Sequence, residues 1–394
     1  MDTLVVDCGL STKGGHHVGH LLALFEAAGL NGANAMVLTN EKVDQRAING
    51  ITLLPRLSAT GYEGTRSESL TAESFRSSEK SCWELLTLDF LKNDNLLSSA
   101  RRILFINVTF PVFATACSWL RMRCNPLDRE LSLYMLAGVG MKAVKMGTGL
   151  KMVDYDIVRK RTLTRQLQVL RELSPRAKIF VTSERRRTEL AHLGFRNVRL
   201  YSLFTSEWER LSYRDPGCKP YVLLYTGDAK FGKGFPTIPY LLSRICSLAP
   251  DLEVVVHVSS VSERFKSTII QIVEMAAIGR KVKLVCGHLS ISDYAKQLCN
   301  ATLVVLPNLR DGYFDMESGV FHEAMRNEVP VLCLNGTVSA DELMECGGYE
   351  FILDDMSDVP TRTGQFLLDW PSVVTRFSRI CERYKRRRVG TSVV

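Results

Sequence analysis

Short apolar runs rich in β-branched residues alternate along the whole chain with longer stretches whose apolar residues recur every three or four positions. The short runs read as strands buried on both faces and the longer stretches as helices packed over them. Repeated alternation of the two is the signature of a parallel α/β sheet. Six runs in the first half qualify as strands, at residues 3–8, 34–38, 102–107, 131–136, 178–182 and 198–202. Six more follow in the second half, at residues 221–226, 253–258, 282–286, 302–306, 330–334 and 349–353. The fold class expected is α/β, with two Rossmann-like, doubly wound domains. Their expected bounds are 1–205 for the N-terminal domain, 206–219 for a linker carrying the turn signal Asp215-Pro216-Gly217, and 220–369 for the C-terminal domain. Residues 58–80 are polar and serine-rich and read as a loop. Within 370–394, Val373, Val374, Phe377, Ile380, Cys381 and Tyr384 fall at helical spacing opposite a basic face. That helix suits either a brace back to the first domain or contact with a membrane.

Composition narrows the class. At 394 residues, 46% hydrophobic and 23% charged, the chain can build two ordinary cores. No apolar run approaches the roughly 18 residues of a membrane span. The acidic start Met1-Asp2-Thr3 lacks the basic, then apolar, pattern of a secretory signal. Eleven cysteines include no CxxC pair, and Cys8, Cys246, Cys286, Cys299 and Cys333 lie in or beside apolar runs, where a thiol acts as a small hydrophobe. This argues against a disulfide framework or a metal site and for a reducing cytoplasm. The net charge of +8 is uneven, concentrated in Arg159-Lys160-Arg161, Arg185-Arg186-Arg187 and Lys385-Arg386-Arg387-Arg388. Such patches suit an anionic surface, including peripheral contact at the inner membrane, or else form a solvated face. With no recognisable reading helix or stacking-aromatic motif, nucleic acid is not the expected partner.

Three loops at strand ends carry the candidate chemistry. The first, Asp7-Cys8-Gly9-Leu10-Ser11-Thr12-Lys13-Gly14-Gly15-His16-His17, is neither GxGxxG nor a Walker sequence, but Gly14 and Gly15 let backbone amides approach a diphosphate or an acceptor. His17, with His16 as its neighbour, is placed to contact a donor phosphate or move a proton; the plain alternative is a solvent-facing helix start. The second loop runs from Gly227 through Lys230 to Lys233, which sits between Gly232 and Gly234. Lysines there would neutralise a leaving diphosphate, where preorganised cations help most. The third spans Tyr313 to Ala324. Ser318 is an N-cap, Gly319 admits a close ligand, and the amides of Gly319, Val320 and Phe321 form an anion site. Glu323, one turn in, would reach ribose hydroxyls, unless it only complements the helix dipole. Asp315, with Glu317 as its rival, would reach the hydroxyls of a donor sugar. Trp119, Arg121 and Arg123 give a weaker signal for an acceptor-side helix, His192 and His257 read as structural, and His288 either borders a base or is a simple loop histidine.

Together these pieces resemble the GT-B glycosyltransferases, and residues 221–353 are similar to glycosyltransferase family 4. The markers are the Gly227 to Gly234 loop ending in Lys-Gly, and Asp315, seven residues, then Glu323-Ala324 and Val329-Pro330-Val331. In the first half the likeness rests on Gly14-Gly15-His16-His17. The resemblance implies two domains facing across a cleft, transfer with retention, a nucleotide-diphosphate sugar as co-substrate, and no cofactor or obligatory metal. The basic patches point to a glycan or lipid-linked acceptor, as in polysaccharide or glycoconjugate assembly, with a soluble acceptor as the alternative. On the combined reading the catalytic candidates are Lys233, Lys230, Asp315 and His17. The donor-binding candidates are Gly14, Gly15, Gly227, Glu317, Ser318, Gly319, Val320, Phe321 and Glu323. Two positions depart from the family: Asp315 stands where glutamate is usual, and Asp228 where an arginine pairs with the lysine. Asp228 keeps open a non-catalytic GT-B-like subunit binding a nucleotide or partner; a GT-B-fold sugar-nucleotide epimerase is the other alternative.

Overall fold

The computed structural model of the chain describes residues 2–10, 16–61, 72–123, 127–136, 138–146, 149–201, 221–278, 281–314 and 316–387. Gly14, Gly15, Asp315 and the expected linker therefore lie outside the described residues. Residue contacts divide the chain into two units, Met1–Phe204 with Thr391–Val394, and Thr205–Gly390.

The first unit contains β1 (Thr3–Asp7), β2 (Ala35–Asn40), β3 (Ala47–Ile48), β4 (Ile51–Leu57), β5 (Arg102–Val108), β6 (Glu130–Met135), β7 (Met141–Met146), β8 (Gly149–Asp154), β9 (Lys178–Val181) and β10 (Val198–Leu200). Eight of them form one sheet in the order β10-β9-β6-β5-β1-β2-β4-β3, while β7 and β8 pair antiparallel on their own. Only β3, at the edge, runs against its neighbour. Side-chain alternation along β1 feeds two cores: Leu4 and Val6 join a cluster with Ile103, Phe105, Phe113 and Trp119, and Val5 joins one with Leu21, Val37 and Leu104. A sheet covered on both faces is what makes these strands apolar at every position.

The second unit carries β11 (Tyr221–Gly227), β12 (Glu253–Val258), β13 (Val282–Cys286), β14 (Leu303–Leu306), β15 (Val331–Leu334) and β16 (Ile352–Leu353). They form one parallel sheet in the order β13-β12-β11-β14-β15-β16. Both sheets reverse their direction of growth once, between β1 and β5 and between β11 and β14. At such a switch point, successive connections leave on opposite sides and open a crevice beyond the carboxyl ends of the strands.

Several expectations are corrected. Residues 72–80 are not loop: the helix Ala72–Lys92 runs through them, because the turns burying Cys82, Leu86 and Phe90 propagate back through serines that a helix tolerates. β4 escaped notice because Pro55 interrupts it; the strand accommodates the proline where its pairing with β2 shifts register between Thr39 and Asn40. The β7–β8 pair was hidden by Lys142, Lys145 and Lys151, which break the apolar pattern. Residues 349–351 form a 3-10 turn, leaving only Ile352–Leu353 as strand. Cys286 is exposed, unlike Cys8, Cys299 and Cys333. The run Arg185-Arg186-Arg187 is not one solvated patch. Arg185 and Arg186 are buried against Glu189, which also accepts from the Ala143 amide at 3.1 Å, and Arg187 alone of the three is exposed. Trp119 is fully buried and donates to Asp94, which also pairs with Arg123, so both serve packing. Among the described residues no helix is long and apolar enough to cross a membrane.

The closing helix, Trp370–Arg386, packs Val373, Phe377, Ile380, Cys381 and Tyr384 into the core of the second unit. Its basic face is used there as well: Arg376 meets Glu350 at 2.8 Å, Lys385 meets Glu328 at 3.0 Å, and Arg383 donates to the Cys346 carbonyl at 3.1 Å. Phe377 is fully buried, its ring 4.8 Å from that of Phe351. Phe377→Ala should cost about 3–5 kcal/mol in urea denaturation, against about 0.5 kcal/mol or less for Arg386→Ala on the exposed side. Equal effects would mean that the helix is not docked as described.

Candidate active site

The loop following β11 is shaped by two glycines with left-handed backbones. Gly227 has φ +115°, and a Cβ there would collide with Lys233 Nζ. Gly234 has φ +71°, and a Cβ there would strike the carbonyl oxygen of Pro307, just beyond β14. The loop is tied down by Gly234 N–H to the Phe231 carbonyl (2.7 Å), Leu309 N–H to the Gly232 carbonyl (2.8 Å) and Ala229 N–H to the Ser260 carbonyl (2.9 Å). These bonds fold the loop back so that the Lys233 ammonium lies over Gly227, at the switch point. Both left-handed backbones call for glycine, and at Gly234 the Pro307 backbone leaves room for nothing else.

From the other side of the switch point, beyond β14, comes the helix Gly319–Arg326. Ser318 caps it, accepting from the Phe321 amide at 3.4 Å. Phe321, one of the three expected anion donors, thus has a partner, and Gly319 and Val320 remain as the tip's donors toward a ligand. Glu323 is 9% exposed and accepts from the Tyr294 hydroxyl at 2.7 Å through Oε2. Burial raises its carboxyl to about 7, against the opposing pull of Tyr294 and of Lys233. Lys233 is lowered to about 8, chiefly by burial of the ammonium and then by Lys230, while Asp228 and Glu323 hold it up. A desolvated cation and a buried carboxylate thus face each other electrostatically, each moved toward neutrality by burial and drawn back by the other.

Asp228 stands where the sequence resemblance would place an arginine. Its carboxylate takes a hydrogen bond from Ser260 Oγ at 2.8 Å and pairs with Lys230 Nζ at 3.3 Å. Burial alone would raise this carboxyl, but Lys230, Lys233 and Ser260 together hold it below its ordinary range. Lys230 is thereby steered onto Asp228. Glu317 is likewise engaged, its Oε2 2.9 Å from His322 Nε2, and its side chain is 6% exposed. His257, read as structural, lies beside the cluster with Nε2 at 3.0 Å from the Gly287 carbonyl and Nδ1 at 2.8 Å from Thr226 Oγ1. A carbonyl only accepts, so Nε2 carries the proton and Nδ1 takes the Thr226 hydroxyl; burial favours this neutral ring. His288 is exposed.

In the first unit, His17, in the first turn of the helix His16–Ala27, meets Asp7, Nδ1 to Oδ1 at 3.1 Å. Asp7 is fully buried and also accepts from the Gly9 amide at 3.0 Å and from Asn107 Nδ2 at 3.3 Å. Asn107 is at the end of β5 with φ +54° and holds His20 Nδ1 at 2.9 Å. This cluster, too, marks a switch point, and it gives His17 the fixed orientation that an acid or base requires.

Sequence reasoning passed over Asp7, Asn107 and Tyr294. A carboxylate closing a fully apolar strand was a usable signal for Asp7. Nothing local marked Tyr294, whose phenol meets a carboxylate 29 residues away.

No family model matches the sequence, and no curated protein sequence matches it. Solved structures match over its whole length. One is a trehalose-6-phosphate synthase, OtsA, with a TM-score of 0.66 at 11% identity, covering 100% of this chain and 96% of that one. Another is HepE from Anabaena in complex with UDP-glucose, with a TM-score of 0.62 at 13% identity, covering 100% and 96%. A third is the α,α-trehalose-6-phosphate synthase of Burkholderia multivorans, with a TM-score of 0.61 at 10% identity, covering 100% and 95%. The fold is that of the GT-B glycosyltransferases. At these identities the likeness is one of architecture.

The coupling of Lys233 to Glu323 is measurable without a ligand. With its ammonium near 8, Lys233 should be acylated faster at pH 8 than the exposed lysines, read residue by residue by mass spectrometry. Glu323→Gln removes the attraction that holds the proton on and should speed the labelling further. Labelling no faster than that of Lys281 would contradict the desolvated site.

Proposed function

We propose that the protein is a glycosyltransferase moving a sugar from a nucleotide-diphosphate sugar to an acceptor hydroxyl. The observation that carries this reading is the convergence, at one switch point, of a helix tip, the Lys233 ammonium and the Glu323 carboxylate. These are an anion site, a cation and a diol acceptor in the order that a diphosphate linked to a ribose presents them. The similar structures support it: HepE is in complex with UDP-glucose, and a trehalose-6-phosphate synthase of E. coli is bound with UDP-2-fluoro glucose. The narrower likeness to family 4 rests on the sequence markers.

In the proposed reaction the acceptor oxygen forms a bond to the anomeric carbon as the bond from that carbon to the diphosphate breaks. The hydroxyl proton passes to a leaving phosphate oxygen, giving a glycoside and a nucleoside diphosphate. Attack on the face that the diphosphate leaves gives retention and requires no side-chain nucleophile. Lys233 and the Gly319 and Val320 amides meet the charge that grows on the diphosphate. With those donors in place, turnover should persist in chelator. Glu323 holds the ribose, and Asp315 is proposed for the sugar hydroxyls. His17, oriented by Asp7, is the group proposed to act on the acceptor, of the glycan or lipid-linked class.

One observation favours a second reading, a GT-B-like subunit that binds a nucleotide without turning it over. Asp228 puts a negative charge where the family has a positive one and draws Lys230 onto itself. A thermal-shift screen of UDP-, GDP-, ADP- and dTDP-sugars, followed by product analysis, separates the readings. A ligand at 100 times its Kd stabilises by about 2.7 kcal/mol, so a donor should raise Tm in the wild type and not in Glu323→Ala. Lys233→Ala should retain the shift and lose more than about tenfold in turnover, the scale of one preorganised charge. Binding without product in the wild type would establish the second reading, and no shift with any donor at millimolar concentration would refute both.

A further inference from the structure

We propose that Tyr294 is a positioning residue for the nucleotide, clamping Oε2 of Glu323 so that the carboxylate presents its other oxygen to the hydroxyls of a ribose. The inference rests on the nucleotide-sugar reading of this site and names a residue outside the loops that suggested it.

Tyr294 stands in the first turn of the helix Ile291–Asn300, which begins beyond β13 at the same carboxyl edge of the sheet. That turn is built to hold a fixed side chain. Ser290 caps the helix by accepting from the Asp293 amide at 3.0 Å, and its carbonyl accepts from the Tyr294 amide at 2.9 Å. Ala295, Leu298 and Cys299 anchor the helix in the core. The phenol then reaches Glu323 Oε2 at 2.7 Å, a charge-assisted bond when the carboxylate is ionised. A carboxylate has about four acceptor positions, and one donor on Oε2 fixes the group's rotation while leaving both positions on Oε1 for hydroxyls. Without it, a buried glutamate on a half-buried helix face has several rotamers and no reason to choose the one that meets the ligand.

The groups facing Glu323 are Tyr294 from the helix beyond β13 and Lys233 from the loop beyond β11. His257 of β12 and Cys299 lie next to Tyr294, and Asp228 and Lys230 next to Lys233. Donation by the phenol favours the ionised carboxylate. Removing it should therefore drive Glu323 toward its neutral form at neutral pH, in which it is a poorer acceptor for two hydroxyls. Tyr294→Phe keeps the ring and its volume, so a role in packing alone would leave the ionisation of Glu323 where it is.

The test is calorimetric titration with UDP, ADP and GDP and their 2′-deoxy forms, from pH 6 to 9, on the wild type, Tyr294→Phe, Glu323→Gln and the double variant. In the wild type, affinity for the preferred ribonucleotide should rise through about pH 7 as Glu323 ionises and fall above about pH 8 as Lys233 loses its proton. Tyr294→Phe should weaken the ribonucleotide about tenfold, the scale of a hydrogen bond to a charged group, and the 2′-deoxy form less. Its rising limb should move to higher pH, and in the Glu323→Gln background the substitution should have no further effect. Far-UV spectra and Tm of Tyr294→Phe control for folding. The proposal is overturned if Tyr294→Phe keeps wild-type affinity, ribose discrimination and pH limb while Glu323→Gln loses them. Failure of the wild type to bind any of these nucleotides, or wild-type binding by Glu323→Gln, would instead overturn the nucleotide reading itself, and this inference with it.

Discussion

A charge that has lost its water must find an opposite charge or give up its ionisation, and the second unit is organised around that constraint. Lys233 comes from a loop and Glu323 from a helix on either side of one switch point, and each is displaced by burial, to about 8 and about 7. Each restrains the other's displacement. The pair is therefore poised near neutral pH, where small changes in field decide its state. A nucleotide diphosphate arriving there would supply charge to the ammonium and hydroxyls to the carboxylate at once.

The surrounding architecture serves that placement. Gly227 is held to glycine by its φ of +115° and Gly234 by its φ of +71° and the Pro307 carbonyl, so the loop has few ways to close. Ser318 fixes the start of the helix that carries Glu323, and Tyr294 fixes the carboxylate. Behind this helix, His322 is buried between Glu317 and Tyr384 of the closing helix, with Nε2 2.9 Å from the glutamate. The closing helix thus packs the back of the element whose front bears the site. Its basic residues act mainly as staples to Glu350 and Glu328.

Asp228 changes the balance of the site. Where a second strong cation would add to Lys233, a carboxylate holds Lys230 at 3.3 Å and offsets its charge. On the proposed reading a diphosphate would meet Lys233 and backbone amides, a weaker but more rigid arrangement than two mobile cations, because amides carry no rotamer entropy.

The chain's α/β class and the first five strands of the second sheet were legible in the sequence, because a strand buried on both faces is mostly apolar and the helices over it must be periodic. The Ser318 cap and the glycine-bracketed turn at Lys233 were legible too, since such segments fix local geometry over a few residues. Strands interrupted by Pro55 or by Lys142 and Lys145 were not, because there pairing overrode local pattern. Nor could the sequence reveal that Arg185 and Arg186 turn inward onto Glu189, or that Tyr294 would meet Glu323 and Asp7 would meet His17 and Asn107. Local pattern determined which segments become strands, helices and ligand-shaped loops. Only the order of strands in the sheets decided which loops share a switch point, because that order is set by burial and handedness across the whole unit and leaves no trace in the spacing of any one segment.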